Sequence, residues 1–491
     1  MGNMMKRRTM AKGNGNISPW LWVPTLYFAE GIPYFVVNSI SVTMFTKMGV
    51  SNGSMALFTS LLYLPWVIKP LWSPFVDTLR TKRWWVMTMQ VLMSVCFAAL
   101  ALSLPSDAGT LESHRCADGS SPVSLFTLTL IIFWVMAFAS ATHDIAADGF
   151  YMLGLTPGEQ SLFVGIRSTF YRLASVFGQG VLVVIAGVLE TRLGDIPKSW
   201  FWTILVTAVV FALVTLWHGF ALPRPQADRP ASSASVSDLS VSDLSVSDAS
   251  VSDASVSEAS SSGAQPHDVL QSRPRPSAGG IFRNFGRTFS TFFRKPGVVL
   301  ALIFLLLYRL PEAFLVKMMN PFLLSPASDG GLGLTTAQVG AVYGTAGVIA
   351  LTLGGILGGM AVAKWGLRRC LWPMALSLAL PCLAFIWLSV AKPSSMWVIG
   401  AFVCLDQFGY GFGFTAYMLY MIYFSRGEYK TSHYSLCTAF MALSMMLPGM
   451  VAGYLQEALG YTGFFWMVGA CCLVTVFVTM LLKIEPDYGK K

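Results

Sequence analysis

The sequence predicts an all-α membrane protein with twelve transmembrane helices in two six-helix bundles. Three observations predict it. The first is composition. The 491 residues are 54% hydrophobic and only 12% charged, against about 25% charged in soluble domains; the mean hydropathy is +0.60. The second is length, because apolar stretches of about 20 residues, enough to cross a bilayer, recur along the chain. The third is the alternation of Lys and Arg from loop to loop. Together these exclude a soluble enzyme, a disordered regulator and a nucleic-acid binder.

The expected spans are 20–46, 54–77, 84–105, 123–152, 161–190, 199–222, 297–324, 335–363, 367–391, 395–424, 431–457 and 461–483. The first is not read as a cleaved signal peptide: it is long, carries Pro24, Glu30 and Pro33, and lacks a small-residue cleavage site. With the long linker left out, fifteen basic residues fall in the termini and short loops of one side, from Lys6 and Arg7 through Arg80, Lys82 and Arg83 to Lys490 and Lys491, and five on the other. Basic loops face the cytoplasm, so both termini are expected there. Loss of one span would scramble this alternation, which makes the charge pattern a separate check on the count. Of eight cysteines, seven lie in apolar stretches and only Cys116 in a polar loop. No disulfide framework and no metal-binding spacing is expected.

The organisation reads as residues 1–19, a cytoplasmic N-terminus; 20–222, the first six-helix bundle; 223–296, a cytoplasmic linker; 297–483, the second bundle; and 484–491, a tail. The linker repeats Ser-Val-Ser-Asp-Leu/Ala over 235–259, a composition that cannot bury a core. Residues 281–295 then place Phe282, Phe285, Phe289, Phe292 and Phe293 at helical spacing among basic residues. That pattern suggests an amphipathic helix on the inner leaflet.

The two halves echo each other. Ser73-Pro-Phe-Val-Asp77 leads into Arg80, Lys82 and Arg83; Gly359-Met-Ala-Val-Ala363 leads into Lys364, Arg368 and Arg369, without the acid. A small residue, an Asp and a basic cluster between spans two and three resemble the loop signature of the major facilitator superfamily. Six-plus-six repeats place a substrate site near the midplane between the halves. In such a fold Asp77, Lys82 and Arg83 are expected to form a cytoplasmic gate.

Ionisable groups in hydrocarbon cost at least a few kcal/mol each. The spans nevertheless carry the acids Glu30, Asp144, Asp148, Glu312 and Asp406 and the bases Lys69, Arg167, Arg172, Arg309 and Lys317. The equal numbers suggest paired charges around a polar cavity. Asp144 and Asp148, four apart, share a helix face; with Arg167 or Arg172 beside them they either exchange a proton or tie spans four and five together. Glu30, Glu312, Asp406 and His143 complete the candidates for proton coupling, although a lone histidine equally serves helix packing. Arg309 and Glu312, three apart, either pair with each other or leave the guanidinium for an anionic cargo. Arg172, Arg309, Lys69, Lys317, Tyr34 and Tyr410 are the candidates for substrate binding. Pro24, Gly31, Pro33, Pro65, Pro70 and Pro74, with Gly409, Gly411 and Gly413 of span ten, mark expected flexible points.

Further stretches carry a closer resemblance: Leu71-Trp-Ser-Pro74 after Lys69, Ser140-Ala-Thr-His-Asp144-Ile-Ala-Ala-Asp148, Tyr171-Arg172-Leu173 and Tyr308-Arg309-Leu-Pro-Glu312-Ala-Phe314. They resemble the AmpG-like muropeptide permease family, across all spans except the linker. The chain departs at Phe150–Leu153, where the family carries a Lys and another acid, and at Glu30. The resemblance implies a monomeric inner-membrane permease that imports anhydro-muropeptides with protons and uses no cofactor. Alternative cargoes are another anionic sugar or glycan breakdown product, or an acyl-coenzyme A. A membrane-embedded enzyme built on His143 and Asp144 is the reading of another class; it needs no parallel repeat.

Overall fold

The computed structural model describes residues 17–104, 125–225, 228, 286, 289–426, 430–486 and 488. Ten helices among them are long and apolar enough to cross a membrane. The last, His433–Leu481, runs for 49 residues. Inside it Gly460 takes φ 66° and ψ 170°, which a side chain would strain, and this bend divides the segment into two crossings. One further helical stretch, Pro19–Phe35, Val36–Ile40 and Ser41–Lys47, lies largely buried and carries Glu30 and Asn38, which lower its hydropathy. Counted this way, the described residues make twelve crossings, named spans one to twelve in chain order. The start of span one and the end of span twelve then lie at one end of the bundle, called here the terminal end.

Five spans begin where a polar side chain closes the first turn. Ser51 caps span two, Thr81 span three and Asp195 span six. Thr156 with Glu159, and Thr335 with Gln338, form reciprocal boxes at the starts of spans five and eight. Each satisfies amide hydrogens that lipid cannot. Asp228 does the same from the linker side, accepting from the Lys82 and Arg83 amides at 2.6 and 2.9 Å.

Lipid is as apolar as the helices, so association depends on close packing rather than on hydrophobic burial. Span ten shows how. A methyl on Gly409 would lie 2.0 Å from the Ser377 carbonyl, and one on Gly411 2.0 Å from the Leu351 carbonyl. These glycines let spans nine and eight press against span ten from two sides. Helix Met396–Phe424 is unbroken, so the flexibility expected there is replaced by a packing role. Span two does break, into Asn52–Leu61 and Leu64–Leu79, because Pro65 cannot donate into the preceding turn.

The bundles meet through π-helical turns, Val176–Leu182 of span five and Gly340–Gly347 of span eight. A methyl on Gly344 would lie 1.8 Å from the Gln179 carbonyl. Away from the terminal end, hydrogen bonds close the seam. Asn52 donates to Gln456 at 2.6 Å, the Gly53 amide to Glu457 at 2.7 Å, and Thr336 to Glu190 at 2.6 Å. Lys47 lies 3.4 Å from the same Glu190 carboxylate.

Of the expected amphipathic helix, Phe282 and Phe285 lie outside the described residues, as do 229–285 of the linker. Phe292 is buried against Phe424, His433 and Phe440, while Phe289 and Phe293 are exposed. Lys295 donates to the Phe424 and Arg426 carbonyls. This segment is therefore pinned to the second bundle, with part of its apolar face left outward.

Candidate functional site between the bundles

The first bundle holds a cluster of five charges. Lys69 of span two pairs with Asp144 of span four at 2.5 Å. Arg167 of span five pairs with Asp148 at 2.8 Å. Tyr27 of span one donates to the same Asp148 oxygen at 3.1 Å. The Arg167 guanidinium lies 4.4 Å from the Tyr27 ring centre and 5.3 Å from that of Tyr151, a cation–π arrangement. Glu30 is buried beside Asp144, Asp148 and Arg167, and its Oε2 has no hydrogen-bond partner. Three acids thus face two bases. The four-residue spacing does bring Asp144 and Asp148 to one cluster, each with a base of its own. Arg172 is not one of those bases: it donates to Thr352 of span eight at 3.4 Å, across the seam.

His143 points elsewhere. Thr25, His218, Gln90 and His143 form a buried chain across spans one, six, three and four, each link 2.9 Å. The chain ties these four spans together. Arg83 donates to the Leu222 and Gly219 carbonyls, tying span three to the end of span six. The Lys82 side chain lies against span four at Gly149. The Asp77 side chain lies outside the described residues.

Next along the axis comes an aromatic layer. Tyr34 sits edge-on to Trp66 at 5.2 Å and packs on Tyr171, with Tyr63 beside it and Tyr410 and Arg309 facing it from the second bundle. Arg309 donates to the Tyr410 hydroxyl at 2.5 Å. Its guanidinium lies over Phe414, Tyr410 and Tyr417 at 4.7, 5.1 and 5.8 Å. No Arg309–Glu312 ion pair forms, which removes the first of the two alternatives that their three-residue spacing left open. Pro311 ends hydrogen bonding to the preceding turn, so helix Leu310–Leu324 starts after Arg309, whose backbone is non-helical at φ −100° and ψ 14°. The arginine swings toward span ten. Glu312, fully buried, faces Asp406.

Farther from the terminal end, Lys317 donates to Thr59 at 3.0 Å and Asn320 to Thr43 at 2.9 Å, both across the seam. They line a narrow cavity with Asn38, Ser39, Tyr63 and Tyr343. The Asn38 amide nitrogen is committed to the Tyr34 carbonyl, which leaves its oxygen unpartnered and buried. The equal count of acids and bases therefore did not translate into five pairs. Lys69 and Arg167 have acid partners; Arg172 and Lys317 reach hydroxyls, and Arg309 reaches rings and a phenol. Tyr27, Tyr63, Tyr171, Asn38 and Gln90 were not anticipated. Tyr27, Glu30, Tyr34 and Asn38 do recur at helical spacing on one face of span one, and that was the readable signal.

The Major Facilitator Superfamily profile matches residues 25–432. The anhydromuropeptide permease of Escherichia coli K12 is 22% identical over 473 residues, covering 95% of this chain and 80% of that protein. An uncharacterized Haemophilus influenzae protein is 24% identical over 470 residues, covering 92% and 91%. A putative transporter AmpG 4 of Rickettsia conorii is 22% identical, covering 94% and 96%. Among solved structures, a D-xylose–proton symporter superposes with a TM-score of 0.61 at 12% identity, covering 96% of this chain and 99% of that one. A POT family transporter reaches 0.62 at 12% identity, covering 94% and 95%. These likenesses carry the fold. With the profile spanning most of its length, the chain belongs to the major facilitator superfamily and is a multi-pass secondary transporter rather than an enzyme.

Proposed function

We propose that the chain imports anhydro-muropeptides, or closely related amino-sugar oligosaccharides, across the bacterial inner membrane in symport with protons. The permease of E. coli named above, matched along nearly the whole chain, supports the cargo. The terminal end is the cytoplasmic one, and the seam closed by Asn52, Gly53 and Glu190 is the outer gate.

The observation that carries the coupling is the charge count of the first cluster. Glu30, Asp144 and Asp148 face only Lys69 and Arg167. One proton on the three acids makes the cluster neutral. Asp148 is 41% exposed and Arg167 31%, so water reaches the cluster while Glu30 stays buried. When the carrier changes the side from which water enters, that proton leaves on the other side.

Cargo sits in the aromatic layer. Sugar rings stack on Tyr34, Trp66 and Tyr410, and carboxylates of the peptide meet Arg309 and Arg172, which have no acid partner among the described residues. Arg suits this task because it stays charged and binds carboxylates with two parallel hydrogen bonds. Lys317 holds the outer side of the same layer, and Lys69 serves the proton cluster rather than the cargo. Asp77, Lys82 and Arg83 form the cytoplasmic gate. The carrier works as a monomer in lipid.

The test is uptake into proteoliposomes with an imposed inward proton gradient. Labelled N-acetylglucosaminyl-1,6-anhydro-N-acetylmuramyl peptide should accumulate, and Asp148→Asn should abolish accumulation. Failure of the muropeptide to compete, with uptake of another anionic sugar or an acyl-coenzyme A instead, would reassign the cargo. Accumulation independent of the gradient would rule out the coupling.

A further inference from the structure

The first cluster does not use the second bundle's acids. Glu312 of span seven and Asp406 of span ten are 0% and 1% exposed, and their oxygens lie within 4.8 Å of each other and of the Cys382 sulfur. Both Glu312 oxygens and Asp406 Oδ1 are buried without a hydrogen-bond partner; Asp406 Oδ2 accepts from Gln407 at 3.2 Å. The other groups facing the pair are Arg309 on span seven, Tyr343 on span eight, Cys382 on span nine, Tyr410 on span ten and Cys472 on span twelve. The thiols donate to the Leu378 and Ala379 carbonyls, which makes them neutral S–H groups rather than thiolates. Arg309 is committed to Tyr410 and the rings around it.

Two buried carboxylates without a partnered cation cost several kcal/mol each. One added positive charge removes most of that cost. A proton needs no space, and on either carboxyl it removes one of the two like charges and gives an orphan oxygen a hydrogen to donate. A divalent metal is the rival occupant: the two carboxylates and the Cys382 sulfur would offer it three ligands, but the thiol would first have to give up the proton it donates to the Leu378 carbonyl.

We propose that Glu312 and Asp406 hold one shared proton, forming a second coupling element of the carrier, and that Arg309 links this proton to cargo. Arg309 stands between the aromatic layer and the pair. Its positive charge opposes the proton. An anionic cargo group that binds Arg309 cancels that opposition, so cargo and proton strengthen each other's binding by the same factor. That is the sign symport requires. The link to cargo rests on the function proposed above; the proton does not.

Infrared spectroscopy of the full chain in lipid tests the proton without any cargo. The wild type should show the carbonyl band of a protonated carboxylic acid that is absent from both Glu312→Gln and Asp406→Asn. Glu30→Gln should retain that band. Thermal unfolding of the variants checks that they fold, and both neutral isosteres should melt at or above the wild-type temperature. An unchanged band in both variants would overturn the proposal. So would one equivalent of divalent metal in the purified chain that is lost in Cys382→Ser. A pH-indicator dye reads the link. At a pH just above that at which the wild-type band disappears without cargo, adding the muropeptide should draw protons onto the wild type, and up to one fewer per chain onto Glu312→Gln. Equal uptake by the two, or none by the wild type, would sink the link while leaving the infrared result standing.

Discussion

The two bundles handle buried charge in opposite ways. In the first, Asp144 and Asp148 each have a base within hydrogen-bond distance, and the Asp148 and Arg167 side chains remain partly exposed. In the second, Glu312 and Asp406 have no base within pairing distance among the described residues and are sealed from solvent. The difference teaches that the acids and bases of a membrane carrier cannot be paired by counting. Backbone breaks and aromatic neighbours decide which charges meet. Pro311 turns one arginine away from one acid, and the rings of span ten capture it.

The contrast predicts unequal responses to substitution. The largest effect is expected in the first bundle. Asp148→Asn leaves Arg167 without its counter-ion, and Glu30→Gln removes the acid in excess. Gradient-driven uptake should fall at least about a hundredfold, while exchange of cargo at equal concentrations on both sides persists in Glu30→Gln. Gradient-driven accumulation by Glu30→Gln at the wild-type rate would break the comparison.

Next is stability. Lys69→Met strands Asp144 and should cost about 2–3 kcal/mol, below the 3–5 expected for a fully buried pair because the partners are partly wetted. Adding Asp144→Leu should recover most of that loss, since removing both partners leaves no lone buried charge. Thermal unfolding of the single and double variants in lipid measures this. A double variant less stable than Lys69→Met would contradict the pairing.

A smaller effect is expected at the aromatic layer. Arg309→Lys keeps the charge but loses the planar fork and the stacking on Phe414 and Tyr417. A loss of about 1–2 kcal/mol should raise the KM for muropeptide about tenfold with little change in maximal rate. A fall in maximal rate at constant KM would place Arg309 outside cargo binding.

The smallest effect is expected for His143→Gln. It keeps a hydrogen-bonding group near Gln90, in a buried chain that, among the described residues, shares no hydrogen bond with Asp144 or the rest of the first cluster. The pH dependence of uptake should keep its midpoint, and the melting temperature should fall by a few degrees, about 1 kcal/mol. A displaced midpoint would return His143 to the coupling machinery.

Much of this was legible in the sequence. Apolar length and loop charge yielded the bundles, because lipid allows few solutions to backbone hydrogen bonding. Four-residue spacing placed Asp144 beside Asp148, because both lie inside one uninterrupted helix, Leu125–Gly154. The same rule failed for Arg309 and Glu312, where a proline ends the helix between them. Spacing left Arg167 and Arg172 as alternatives beside the acids of span four; Arg167 takes that place, while Arg172 reaches Thr352, which is 180 residues away and carries no charge to advertise it. The glycines of span ten signalled close packing rather than bending, which only the facing carbonyls reveal. Span one was legible as a helix carrying the candidates Glu30 and Tyr34; that Tyr27 and Asn38 share their face is revealed by the packing against Asp148 and the narrow cavity.

The account's central claim is that the bundles part at the seam closed by Asn52 and Gln456. Introducing Asn52→Cys and Gln456→Cys into a chain stripped of its native cysteines, and oxidising them, tests it most directly. Uptake into proteoliposomes should stop on oxidation and return on reduction, with either single cysteine unaffected. Undiminished uptake through a cross-linked seam would contradict alternating access between these bundles.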